Sequence, residues 1–211
     1  MTNKQNTLTI ALAKGRILKE TLPLLEKAGI SIKKEELESR KLIFNTNQEN
    51  IKVLILRATD VPVFVQHGVA DLGVSGLDTL LEHSGIGIHE LLDLKIAKCR
   101  LCVASPKNKK LNKSILKVAT KYVRSARKYF QEQQQQVEII KLYGAMELAP
   151  IVNLSDCIVD LVDTGNTLKA NNLEINTIIK NISSRLIVNT ASYKTKNNLI
   201  KNIVSLIYKA L

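Results

Sequence analysis

Apolar runs rich in β-branched residues alternate along this chain with segments whose apolar residues recur at helical spacing. That alternation limits the accessible folds more than any other feature. It is the pattern of an α/β protein with mainly parallel strands. Strands are expected at about 8–12, 41–45, 52–57 and 72–74. Between them, 17–28 places Leu18, Leu22, Leu25 and Ala28 on one face and stops at Gly29, where a left-handed cap forms easily. Thr59 or Asp60 can cap a helix opening at Val61 and Pro62, because proline in a first turn forfeits no hydrogen bond, and Gly68 ends it. A further helix is expected over 77–83.

The second stretch repeats the theme, with strands at 96–104, 116–120, 137–141 and 157–162 and helices near 124–133 and 145–153. Segments 175–182 and 185–189 read as strands leading back. The last segment, 195–211, sets Leu199, Ile203, Leu206, Ile207 and Ala210 on one helical face, suited to docking on the first lobe. No Gly/Ser/Pro-rich tether divides the chain, so the crossings must be strand-like, near Leu94 and Leu173. The expectation is two α/β lobes with a cleft between them, lobe I from 1–94 plus 174–211 and lobe II from 95–173. Ligands of such folds bind in a crevice outside the carboxyl ends of strands.

With 211 residues, 45% of them hydrophobic, the chain can bury a substantial core, and 4 Pro and 9 Gly exclude collagen-like or low-complexity classes. A formal charge of +12 favours anionic partners: nucleic acid, a phosphorylated small molecule or an acidic protein. The lysines are scattered and no stacking aromatics stand among them, so no nucleic-acid partner is expected. No apolar run reaches membrane-spanning or signal-peptide length, so a soluble, cytoplasmic protein with no membrane association is expected. Cys99, Cys102 and Cys157 lie in apolar stretches without a second pair or a nearby histidine, and read as buried thiols in a reducing compartment. His67, His83 and His89 have no triad or metal spacing and receive no role.

The strongest chemical signal is the run from Ile158 to Leu168: a buried strand delivering Asp160 and Asp163, then Thr164, Gly165, Asn166 and Thr167. The carboxylates suit ribose hydroxyls, and a turn of small donors suits a terminal phosphate. A plain turn in which Asp163 caps a short helix and Gly165 supplies positive φ is the alternative. Near the N-terminus, Lys14, Gly15 and Arg16 follow a strand and open a helix, where cations oppose the helix dipole unless an anion offsets them. Pyrophosphate would do so; simple solvation is the alternative. Arg40 and Arg57 flank strands and suit phosphate forks, or surface ion pairs. A Gly-bearing turn with Gly76 and Asp78 again sets donors at a strand end, and Glu147 follows a strand as a base, a ribose or metal ligand, or a solvated residue.

In this order, the segments 13–17, 39–44, 54–60, 71–78, 90–95, 119–122, 141–150, 160–168 and 183–188 closely resemble the ATP phosphoribosyltransferase family, which opens histidine biosynthesis. The resemblance implies two lobes of mixed, mainly parallel sheets related to type II periplasmic binding proteins. It implies transfer of phosphoribosyl from phosphoribosyl pyrophosphate to N1 of ATP. Phosphoribosyl pyrophosphate would be held by Lys14, Glu147, Asp160, Asp163, Thr164, Gly165, Asn166 and Thr167. ATP would be held by Arg16, Arg40, Arg57, Gly76 and Asp78, with Arg16 and Arg40 catalytic. Magnesium would enter through substrate phosphates rather than an all-protein site. The chain resembles the short form, a homodimer working with a regulatory subunit similar to histidyl-tRNA synthetase. A solute-binding module and a nucleic-acid binder are the rival readings.

Overall fold

Along the first strand, β1 (Leu8–Ala13), side chains alternate between two buried faces. Leu8, Ile10 and Leu12 enter one hydrophobic cluster, Ala11 and Ala13 another. A strand buried on both faces needs helices on both. The chain supplies them in turn: α1 (Arg16–Lys27) brings Leu24 and Leu25 to the first cluster. After α2 (Lys34–Leu37), β2 (Ile43–Asn45) and β3 (Ile51–Leu56), α3 (Val61–Gln66) brings Val61 and Val65 to the second. Each such side chain, fully buried, contributes roughly 1.5–3 kcal/mol.

β4 (Leu72–Gly76), α4 (Leu77–Glu82) and β5 (Ile88–Asp93) follow. The next run is β6 (Cys99–Pro106), β7 (Ile115–Thr120), α5 (Val123–Glu132), β8 (Gln136–Lys141), α6 (Leu148–Ile151), β9 (Cys157–Val162), α7 (Asn166–Ala170) and β10 (Leu173–Ile182). β11 (Ser184–Asn189), α8 (Thr190–Thr195) and α9 (Asn197–Ala210) close the chain. The fold comes from a computed structural model that describes residues 7–37, 39 and 41–211. It divides into unit 1, Met1–Ala97 with Ser183–Leu211, and unit 2, Lys98–Ile182. In unit 1, α9 lays Ile200, Ile203 and Ile207 into the cluster that also holds Leu8 and Leu25.

Both sheets are mixed. Unit 1 has the order β2-β3-β1-β4-β11-β5, with β1 parallel to β3 and β4, and β11 antiparallel to β4 and β5. Unit 2 has the order β10-β6-β9-β7-β8, with β7 parallel to β8 and β9, and β6 antiparallel to β9 and β10. Apart from β2, the two orders are one topology used twice: β3-β1-β4-β11-β5 matches β8-β7-β9-β6-β10 pair for pair. The match reaches individual bonds. Asp71, just before β4, accepts from Thr9 N–H of β1 at 2.9 Å, and its own N–H donates to Thr9 O at 2.8 Å. Asp156, just before β9, accepts from Lys117 N–H of β7 at 3.0 Å and donates to Lys117 O at 2.7 Å. Left-handed residues, Gly68 at φ 67° and Asn153 at φ 59°, precede the two aspartates at the same distance along the chain.

Some boundaries differ from the sequence expectations. The second division falls after Ile182 rather than near Leu173, because β10 pairs with β6 from Leu173 opposite Pro106 to Ile182 opposite Cys99. The first falls after Ala97, where Lys95 at φ 56° and Ala97 at φ 49° bend the chain and delay β6 to Cys99. β5 carries no alternating apolar pattern and was not expected; as an edge strand it is only partly buried. The helix expected over 145–153 shrinks to α6, bracketed by Ala145 and Asn153 at positive φ.

Candidate active site

In unit 1, β1 sits between β3 and β4, and all three run the same way, so their carboxyl ends share one edge. The chain leaves β1 toward α1 on one face and leaves β3 toward α3 on the other. Connections that part in this way open a crevice at the strand tips. Lys14 and Arg57 stand there, one past Ala13 and one past Leu56, which are register partners; Lys14 N–H donates to Leu56 O at 2.8 Å. Both cations are exposed. Gly15 turns the chain at φ 86°, a conformation costly to any residue with a Cβ.

Arg16 opens α1, and its Nε donates to Glu20 Oε1 at 2.8 Å. The helix therefore supplies an internal anion for the cation that the dipole argument assigned to a ligand. With side chains 48% and 37% exposed, this pair adds about 0.5 kcal/mol at most. Glu20 Oε2 also accepts from Ala97 N–H at 2.7 Å. That backbone bond first, and Arg16 second, hold the Glu20 carboxyl below its ordinary range. Gly76 ends β4, and the Asp78 carboxylate folds back against its α-carbon, where a Cβ would collide with it. Arg40 lies outside the described residues.

In unit 2, β7 sits between β8 and β9 in the same arrangement. β9 extends past the end of β7 and then turns through Asp163 and Thr164 to Gly165, whose φ of 81° is left-handed. Asn166 N–H approaches Thr164 Oγ1 at 3.4 Å as α7 begins. Below this turn is a cavity of about 200 Å³ lined by Glu147, Asp160, Asp163, Thr164, Gly165 and Thr167, with Leu161, Val162 and Leu168. Asp160 is half-buried and its Oδ1 accepts from Leu161 N–H at 2.8 Å. The tip is braced from beneath by Thr120, whose buried hydroxyl donates to Val159 O at 2.6 Å and accepts from Tyr122 N–H at 2.9 Å.

The fold thus gathers Glu147, Asp160, Asp163, Thr164, Gly165 and Thr167 at one cavity, with Asn166 on the same turn. It gathers Lys14, Arg16, Arg57, Gly76 and Asp78 at the carboxyl edge of β3, β1 and β4. Among the described residues, no three His, Cys, Asp or Glu side chains converge to hold a metal ion. The hard carboxylate oxygens of the cavity suit a divalent ion whose remaining ligands are substrate oxygens and water. Arg100 was not anticipated: from β6 its Nη2 reaches Asp163 O at 3.4 Å. Nothing in the spacing of Arg100 announces this, because the contact crosses between strands far apart in sequence. Cys102 and Cys157 are buried, and burial pushes both thiols up, Cys157 to about 12; Cys99 is only partly buried. His83 is held by Gln66 Oε1 at 3.0 Å and by Gly85 N–H at 3.1 Å, a structural setting. Among the described residues no helix is long and apolar enough to cross a membrane.

Comparison with known proteins places these features in context. A family model described as ATP phosphoribosyltransferase matches residues 57–209. An ATP phosphoribosyltransferase of Ruthia magnifica is 64% identical, covering 92% of this chain and 95% of that protein. One of Vesicomyosocius okutanii is 61% identical, covering 97% and 100%. Among solved structures, an ATP phosphoribosyl transferase (HisG:HisZ) complex from Thermotoga maritima aligns with a TM-score of 0.84 and 32% identity, covering 97% of this chain and 98% of that one. The periplasmic aliphatic sulphonate binding protein SsuA of Escherichia coli shares the fold at a TM-score of 0.62 and 14% identity, covering 97% of this chain and 68% of that one.

Proposed function

This chain belongs to the ATP phosphoribosyltransferase family, and from that premise we propose how its two units divide the reaction. The enzyme transfers phosphoribosyl from phosphoribosyl pyrophosphate to N1 of ATP and releases pyrophosphate, the first step of histidine biosynthesis. As the bond from the anomeric carbon to pyrophosphate breaks, positive charge grows on the ribose and negative charge on the leaving group. Asp160 and Asp163, with Glu147, accept from the ribose hydroxyls and offset the growing positive charge. Thr164, Gly165, Asn166 and Thr167 hold the terminal phosphate.

Lys14, Arg16, Arg40 and Arg57 serve the departing pyrophosphate and the phosphates of ATP, with Gly76 and Asp78 on the ATP side. A divalent metal ion is required; magnesium brought in with the substrate phosphates, and steadied on the protein side by the carboxylates of Glu147, Asp160 and Asp163, would neutralise polyphosphate charge. Adenine N1 is unprotonated at neutral pH, so its lone pair attacks without a general base and alignment supplies much of the acceleration. The observation that carries this assignment is the convergence of Glu147, Asp160, Asp163, Thr164, Gly165 and Thr167 on one cavity. The Thermotoga complex supports association with a regulatory subunit. The finer reading is a cytoplasmic homodimer that binds a partner similar to histidyl-tRNA synthetase.

Incubation with ATP, phosphoribosyl pyrophosphate and magnesium is expected to yield pyrophosphate and an adenine alkylated at N1. No product, with the regulatory subunit present as well as absent, would reject the reading.

A further inference from the structure

The cavity at the tip of β9 presents a charge problem. Its wall holds three carboxylates, Glu147, Asp160 and Asp163, and no lysine or arginine among the described lining residues. A sugar phosphate carrying two negative charges would meet like charge on several sides, and backbone donors of the turn oppose that only locally. Cations stand on β6 and just past the end of β7, the two strands that flank β9.

Arg100 of β6 is the register partner of Val162, the last residue of β9. Its Nη2 donates to Asp163 O at 3.4 Å, so the guanidinium lies against the turn where the chain leaves the strand. A guanidinium has five N–H donors in a planar fork, and one contact to a carbonyl fixes the plane while the fork retains its preference for phosphate oxygens. On the other side, Thr120 of β7 is the register partner of Val159. β7 ends at Thr120, and Lys121 is the next residue, leaving the strand where β9 continues into Asp160, a wall residue of the cavity. The Lys121 ammonium rests 4.8 Å from the ring centroid of Tyr122, which is 3% exposed. A buried ring under the ammonium keeps this charge at the strand tip.

We propose that Arg100 and Lys121 complete the phosphoribosyl subsite of unit 2, binding the phosphate from β6 and from the segment that follows β7. The proposal rests on the assignment of that cavity to phosphoribosyl pyrophosphate, and brings cations to a site whose described lining residues include no lysine or arginine. Arg100 has a second, positioning effect through Asp163 O, which orients the turn.

The test uses the full chain with its regulatory subunit and measures KM for each substrate, together with calorimetric binding of phosphoribosyl pyrophosphate. R100A and K121A are each expected to raise KM for phosphoribosyl pyrophosphate about tenfold, with KM for ATP within about twofold, as loss of a charge-assisted hydrogen bond would do. R100Q, which keeps a donor for Asp163 O without the charge, should still show most of the loss seen in R100A, and R100K should recover part of it. The salt dependence of phosphoribosyl pyrophosphate binding should flatten in each charge-removing variant. K209A, an equal charge change on the exposed face of α9, should leave both constants unchanged. If R100A and R100Q melt normally and neither they nor K121A alter phosphoribosyl pyrophosphate binding, while wild type binds and turns over, the proposal is overturned and the cavity assignment survives. Failure of wild type to bind phosphoribosyl pyrophosphate would overturn both.

Discussion

At the amino end of β4 in unit 1, the buried Asp71 ties Thr9 N–H of β1 to Lys196 Nζ, 2.8 Å away, and to Ser192 Oγ, 2.6 Å away. At the amino end of β9 in unit 2, the buried Asp156 ties Lys117 N–H of β7 to Lys113 Nζ, 2.7 Å away. At the opposite end of the same two strands the resemblance stops. Gly76 passes directly into α4 at Leu77, so Asp78 and Thr79 fall inside a helix. β9 runs on to Val162, and Asp163 and Thr164 fall in an open turn above a cavity. The repeated ends tie together two copies of one topology; the divergent ends hold the residues of the proposed site. A buried aspartate that satisfies a neighbouring strand can recur wherever the topology recurs, whereas a site needs its own shape.

The strongest test of this contrast is at the tips. Asp163→Ala and Arg16→Ala should each lower kcat/KM about a hundredfold, near 3 kcal/mol of transition-state stabilisation, with unchanged melting. A similar loss of stability instead would make these residues structural and erase the distinction between ends. At the amino ends the reverse is expected: Asp71→Asn should cost about 3 kcal/mol, because it leaves Lys196, with a side chain only 17% exposed, without its counter-charge. Asp156→Asn should cost less, about 2 kcal/mol, since Lys113 is 61% exposed and can turn to water. Both are read from chemical denaturation, with substrate KM values unaltered.

The Asp156 pairing also has a pH signature. Burial pushes its carboxyl up, but Lys113, the Lys117 N–H and Lys109 outweigh that and hold it below the ordinary range. Its folded value is therefore depressed. Its contribution is present above the unfolded value, about 3.9, and is lost as pH falls through the lower folded one. Asp156→Asn should accordingly lose less stability than wild type below about pH 4, seen as converging melting curves. The smallest effect separates the glycines. Gly165→Ala forces a Cβ into left-handed backbone, about 1 kcal/mol, and should weaken phosphoribosyl pyrophosphate binding. Gly76→Ala has ordinary backbone at φ −66° and meets the Asp78 side chain, so its effect should appear in KM for ATP. Equal responses for both substrates in both variants would contradict the division of labour.

Much of the layer pattern was legible in the sequence because burial imposes a period that local residues must obey. Leu8, Ile10 and Leu12 against Ala11 and Ala13 is such a record, as is the face of α9, where the expected Ile203 and Ile207 are buried, the expected Leu199, Leu206 and Ala210 pack against the same cluster, and the structure adds Ile200. β5 was not legible, since an edge strand buried on few positions keeps little alternation. Nor was the allegiance of β10, because a strand reads the same whichever neighbour it joins. The run from Asp160 to Thr167 was visible because its chemistry is contiguous. Arg100 was not, since its relation to Asp163 exists only through register.

The order of residues by itself determined the two-sided burial of the strands, the turn chemistry at Gly15 and Gly165, and the residue types available at each strand tip. Those follow from local sterics and hydrophobic period, which act over a few residues. The tertiary structure alone decided the repeated topology, the bond from Glu20 to Ala97, the cavity beneath 163–165 and the cations that flank it. Each of these depends on strand pairing between distant segments, and pairing is settled by the free energy of the assembled sheet rather than by any short stretch of chain.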